Sequence, residues 1–167
     1  MGLYSEMLEK EKIIKNLEDS KKVIIIVCPG CACDSIAYSL DYPDRRVEPS
    51  GDMAQDAVAI NMVKKEWEEE LEKQGKTVGY FWISDPCKLT DFECEDLRRE
   101  TENYDTVAVL GCPSACAGIH RAIKDSKKKI VPMMKVVGSY VFHMKPDEKN
   151  ENFYIDKEAS YVKLFNK

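Results

Sequence analysis

Residues 23–33 read Val-Ile-Ile-Ile-Val-Cys-Pro-Gly-Cys-Ala-Cys. The run 23–27 is β-branched throughout and apolar at every position. That is the pattern of a strand covered on both faces, as in a parallel sheet packed between helices. Three cysteines follow within six residues. Pro29 and Gly30 interrupt regular structure, so the spacing predicts an irregular, thiol-bearing loop over 28–34. Working outward, two more apolar runs end in the same way. Residues 77–83 (Thr-Val-Gly-Tyr-Phe-Trp-Ile) lead into Asp85-Pro86-Cys87, and residues 106–110 (Thr-Val-Ala-Val-Leu) lead into Gly111-Cys112-Pro113.

Helical patterns separate these strands. Residues 5–18 are expected to be helical, with Ser5 as cap and Leu8, Ile14 and Leu17 as a broken stripe. Residues 35–40 suit one or two helical turns, and 41–52 form a Pro- and Gly-bearing excursion. Residues 53–74 carry Ala57, Ile60, Val63, Trp67 and Leu71 on one face of a long helix, with Lys and Glu opposite and Gly75 at its end. Thr90 and Glu93 form a capping box for a helix to about residue 103, and Ser114 is placed to cap another to about 125. Residues 129–132 read as a fourth strand, 136–142 have strand composition, and 153–155 suit a short edge strand. This alternation predicts an α/β fold: a three-layer, mostly parallel sheet of the Rossmann or flavodoxin-like kind. Such a sheet carries all its strand C-terminal ends on one edge, where ligands bind. The fold would thereby gather Cys28, Cys87 and Cys112 into cysteine loops on that edge. The chain reads as a single domain over 1–167, with its cysteine-bearing core at about 20–125.

Composition narrows the chemistry. A net charge of −5 provides no basic field for nucleic acid, and no apolar run approaches the length of a membrane span. The first residues lack the apolar core of a secretion signal, so a cytoplasmic setting with reduced thiols is expected. Seven cysteines in that setting favour metal binding or redox chemistry over disulfides. Four thiolates satisfy zinc or an iron–sulfur cluster, and one Cys-x-x-Cys loop can give two of them. Cys28, Cys31, Cys87 and Cys112 make the four. Cys33 and Cys116 are further candidates, Cys33 by adjacency and Cys116 with core packing as an equal reading. Cys94 shares a helical face with Leu97 and Tyr104 and reads as core. The Cys28-Pro29 and Cys112-Pro113 pairs favour iron–sulfur, as a 4Fe–4S cluster, with zinc the alternative. His120, His143 and the Met133-Met134 pair show no ligand spacing. No nucleophile–base pair, dinucleotide fingerprint or phosphate loop is present, so no catalytic residue is expected in this chain.

The order of these features resembles the small, cysteine-rich subunit of acetogen-type methylenetetrahydrofolate reductase (the MetV family). A strand enters Cys28-Pro29-Gly30-Cys31-Ala32. A charged helix ends in Gln74-Gly75-Lys76. A second strand enters Asp85-Pro86-Cys87, and a third enters Leu110-Gly111-Cys112. The chain departs from that pattern at the close Cys31-x-Cys33 spacing, at the 35–52 segment and at Pro113 and Cys116. The resemblance implies an accessory subunit with a metal or iron–sulfur centre on Cys28, Cys31, Cys87 and Cys112. Its partner would be a flavin-containing reductase subunit or another one-carbon enzyme subunit. It would relay electrons within an oxidoreductase complex. A zinc–thiolate site for methyl transfer and a structural metal module for assembly are the competing expectations.

Overall fold

The computed structural model describes residues 2–147 and 149–165. In chain order its elements are β1 (Gly2–Met7), α1 (Lys10–Asn16), β2 (Lys22–Val27), α2 (Cys31–Leu40), β3 (Arg45–Arg46), α3 (Met53–Asp56), α4 (Val58–Lys73), β4 (Thr77–Trp82), α5 (Asp91–Thr101), β5 (Thr106–Leu110) and α6 (Pro113–Ile123). After a single 3₁₀ turn come β6 (Lys129–Pro132), β7 (Met134–Val141), β8 (Met144–Asp147), β9 (Asn152–Ile155) and β10 (Tyr161–Leu164). Four strands form a parallel sheet in the order β4-β2-β5-β6, flanked by helices, and two small antiparallel sheets (β1-β7-β10 and β3-β9-β8) complete a mixed α/β fold.

The β-branched run of residues 23–27 is the hub of the parallel sheet. Alternate side chains of a strand point to opposite faces, and β2 feeds two cores. Val23, Ile25 and Val27 pack with Ile13, Leu17, Ile36, Ile60 and Leu71 from α1, α2 and α4 and from the turn after α1. Ile24 and Ile26 pack with Leu97, Ile119 and Ile123 from α5 and α6. All five are at most 2% exposed, and burying each such side chain stabilises the fold by roughly 1.5–3 kcal/mol. The predicted parallel strands and the α5 capping box are present, with Thr90 Oγ1 accepting from the Glu93 amide.

Several local expectations are overturned. Ser5 caps no helix. It lies in β1, paired antiparallel with β7, and its amide donates to Ser35 Oγ across 30 residues of sequence. Long-range pairing overrides the helical pattern of residues 5–8, and only α1 remains of that helix. The loop over 28–34 is shorter than expected. Pro29 and Gly30 make the turn, Gly30 occupies the N-cap position, and Cys31 opens α2. The helix over 53–74 is broken at Ala57, which takes extended geometry and bridges to Arg45. Cys112, not Ser114, is the N-cap of α6, because Pro113 suits the first helical position. Residues 153–155 lie in the central strand of their sheet, between β3 and β8. Residues 161–164 form β10, which has no counterpart in the sequence expectation.

Candidate metal centre

The parallel register aligns the strand ends closely. Val27 pairs with both Trp82 and Leu110, so Cys28 follows the central strand just where β4 and β5 also finish. The Cys28 amide donates to Leu110 O at 3.1 Å, and the Ile83 amide to Val27 O at 3.1 Å. Chain direction out of the sheet reverses between β2 and β5, the place where α/β sheets open a crevice. Cys28 follows β2 and Cys112 follows β5 at this switch point. Two helix N-termini border it as well, with Cys31 at the first position of α2 and Cys112 capping α6. The positive end of a helix attracts anionic groups in general.

The thiols influence one another across the sequence. Burial pushes the Cys28 thiol up to about 12; a hydrogen bond from the Gly30 amide opposes this, and the neighbouring Cys112, Cys31 and Cys87 sulfurs add to the rise. Burial also pushes Cys116 up to about 11, with Cys112 contributing. Cys28 and Cys112 are buried, Cys31 and Cys116 half-buried, and Cys87 exposed. Among the described residues no three Cys, His, Asp or Glu side chains converge closely enough to grip a single ion. A tetrahedral zinc with Zn–S bonds near 2.3 Å needs its sulfurs within about 4 Å of each other. Thiolate sulfur is also the ligand chemistry of an iron–sulfur cluster, whose cysteine ligands stand farther apart than those of a single ion.

Two glycines set the distances between the loops. A Cβ on Gly111 would lie 3.2 Å from Cys28 Cβ and 3.1 Å from Ala115 Cβ, so the β5 turn is pressed between the central cysteine and α6. A Cβ on Gly118 would lie 1.8 Å from Pro86 O and 3.5 Å from Cys87 Cα, so the Cys87 loop rests directly on the α6 backbone.

The remaining candidates lie elsewhere. Cys33 is 1% exposed and packs in the core under α4. Its thiol donates to Asp44 O at 3.4 Å, and burial raises its pKa first, with Asp44 adding to the effect. Cys94 is half-buried against the α5–α6 core, as periodicity suggested. His120 and His143 are exposed, while Met133 and Met134 are buried in packing.

One group escaped sequence reasoning. Beside Cys31 lies a cleft lined by Asp34, Arg45, Tyr140, Phe142 and Phe153. Arg45 spans two carboxylates, with Nη2 at 2.9 Å from Asp34 Oδ1 and Nε bound to the fully buried Asp44. The Tyr140 hydroxyl donates to Asp34 Oδ2. Burial, then the Asp44 charge, push Asp34 up to about 6, against the pull of Tyr140 and Arg45. Burial, then Asp34, raise Tyr140, and Cys31 adds to that rise. Neither Arg45 nor Tyr140 stands near a cysteine in sequence, and only the β3 and β7 pairings bring them here. Gly118 did leave a signal, since a glycine inside a helical pattern often marks a close packing contact.

Compared with known protein families, curated proteins and solved structures, the chain matches none.

Proposed function

We propose that this chain is an accessory, iron–sulfur-binding subunit that relays electrons to or from a flavin-containing partner in a methylenetetrahydrofolate-reductase-like or related one-carbon complex. The observation that carries the reading is the parallel register that ends β2, β4 and β5 together, with Cys28, Cys87 and Cys112 in the segments that follow them. The flavodoxin-like strand order supports it, because it puts the crevice beside the central cysteine. The resemblance of residues 20–125 to the MetV family supports the choice of partner.

Cys28, Cys31, Cys87 and Cys112 would hold a 4Fe–4S cluster, which when bound supplies one-electron transfer at a potential set by its surroundings. The residues themselves do the rest. Val27, Ile83 and Leu110 keep the inner side of the centre dry. Cys116, half-buried one turn along α6, lies within reach as a reserve thiol. Cys87, exposed, marks the side on which the centre comes nearest to solvent. The Asp34–Tyr140–Arg45 group fixes α2 against β7 and so holds Cys31 in place.

The test is anaerobic reconstitution of the full chain with iron and sulfide, followed by elemental analysis, visible absorption and EPR. About four irons and four sulfides per chain, with absorption that bleaches on reduction, are expected. Stoichiometric zinc in a chain that stays colourless under these conditions would overturn the reading. Copurification with a flavin-bearing oxidoreductase chain tests the partner.

A further inference from the structure

We propose that Gly118 is a positioning residue for Cys87: its bare Cα admits the Pro86 carbonyl against α6 and so brings the Cys87 thiol to the edge shared with Cys28 and Cys112. The assignment deepens the metal-centre reading and rests on it. Cys87 follows β4, the sheet-edge strand, and the residues between Ile83 and Cys87 are a loop with no strand pairing of their own. That loop needs a seat. Pro86 is buried while Ser84, Asp85, Cys87 and Lys88 are exposed, so Pro86 is the loop's anchor. The seat is the α6 backbone at Gly118, where any Cβ would stand 1.8 Å from Pro86 O and 3.0 Å from Pro86 C. These are backbone atoms and cannot rotate away, so even alanine must displace the loop. Gly118 lies six residues beyond Cys112 and two beyond Cys116 on the same helix. Displacing the loop from α6 therefore changes where Cys87 stands relative to Cys112 and Cys116. The contact replaces a side chain by close Cα–H···O packing, which only glycine allows here.

The placement has a sign that separates it from mere helix content. Gly→Ala within a helix ordinarily raises stability. Here Gly118→Ala should lower the unfolding midpoint and leave the cysteine edge one thiol short.

The experiment uses the full chain and three proteins: unaltered, Cys87→Ser and Gly118→Ala. After anaerobic loading with iron and sulfide, Gly118→Ala should give the EPR and visible signature of Cys87→Ser, not that of the unaltered chain. In the unloaded chains, a short thiol-to-thiol cross-linker should join Cys87 to Cys28, Cys31 or Cys112 in the unaltered protein. That yield should fall several-fold in Gly118→Ala, read by peptide mass spectrometry. A Gly118→Ala chain with an unaltered signature and unaltered cross-linking would overturn the proposal. The cross-linking arm needs no cluster, so a chain that never loads counts against the metal reading while still testing Gly118. Should alanine alone block folding, the same two readings are taken from Gly118→Ala combined with Pro86→Gly, which lets the loop step back from the helix.

Discussion

Cys31 and Cys33 stand two residues apart and face different environments. A helix turns about 100° per residue, so two positions lie about 200° around the axis. Cys31 consequently borders the cleft beside the crevice, and Cys33 enters the core toward Asp44 and Ile60. We predict that Cys33→Ser keeps the iron content of the reconstituted chain and costs about 1–2 kcal/mol in urea unfolding. Cys28→Ser or Cys112→Ser should lose most of the iron. Asp34 gives a second prediction. It faces Asp44 from just before β3, Arg45 from β3, Tyr140 from β7, and Cys33 on its own helix. Its folded-state pKa is raised from 3.8 to about 6. The folded chain therefore holds a proton that the unfolded chain has released. The stabilisation is fully present below pH 3.8 and is lost as pH rises through about 6. Unfolding free energy of the unloaded chain, measured by urea titration between pH 4 and 7, should carry this falling contribution, and Asp34→Asn should flatten it. At this scale the sequence disclosed where the thiols stand along the chain, just after the strands, because cysteines and apolar runs declare themselves. It did not disclose which way a thiol points, because that depends on where α2 begins.

Elements with local signals were legible, and elements made by distant partners were not. The β2, β4, β5 and β6 strands announced themselves as apolar runs, and α5 by its capping box. The reciprocal Thr90–Glu93 bonds sit at the helix that follows the Cys87 loop. Thr90→Ala should therefore cost about 1 kcal/mol in denaturant unfolding and lower the Cys87 cross-linking yield less than Gly118→Ala does. Residues 5–8 show the opposite case. Their helical spacing was real, yet β7 claims residues 5–7 as a sheet partner, and sheet pairing with buried Tyr4 and Ser5 prevails over a weak stripe. The break at Ala57 has the same origin, since its bridge to Arg45 is formed only after the chain has folded back on itself.

For the whole molecule, the four-strand parallel sheet flanked by helices was legible from sequence, because apolar runs alternate with helical patterns. The spacing between the cysteine loops was not, since it depends on how closely α6 approaches two of them. A ligand that binds only the folded edge stabilises the fold by mass action. Loading should therefore raise the thermal midpoint, and anaerobic removal of iron with a chelator should return it to that of the unloaded chain, as read by calorimetry. Met133 has a different consequence. It is the single residue between β6 of the parallel sheet and β7 of an antiparallel one, and it is fully buried. Its amide donates to Val109 O at 3.0 Å, and its carbonyl accepts from the Leu8 amide at 2.8 Å. One residue, through the peptide units on either side of it, is thus bolted to both bodies with no slack between them. Under tension the two sheets would share the load at this rivet, and the antiparallel sheet could not peel off while the cysteine edge stays at rest. Mechanically, the molecule should yield as one piece.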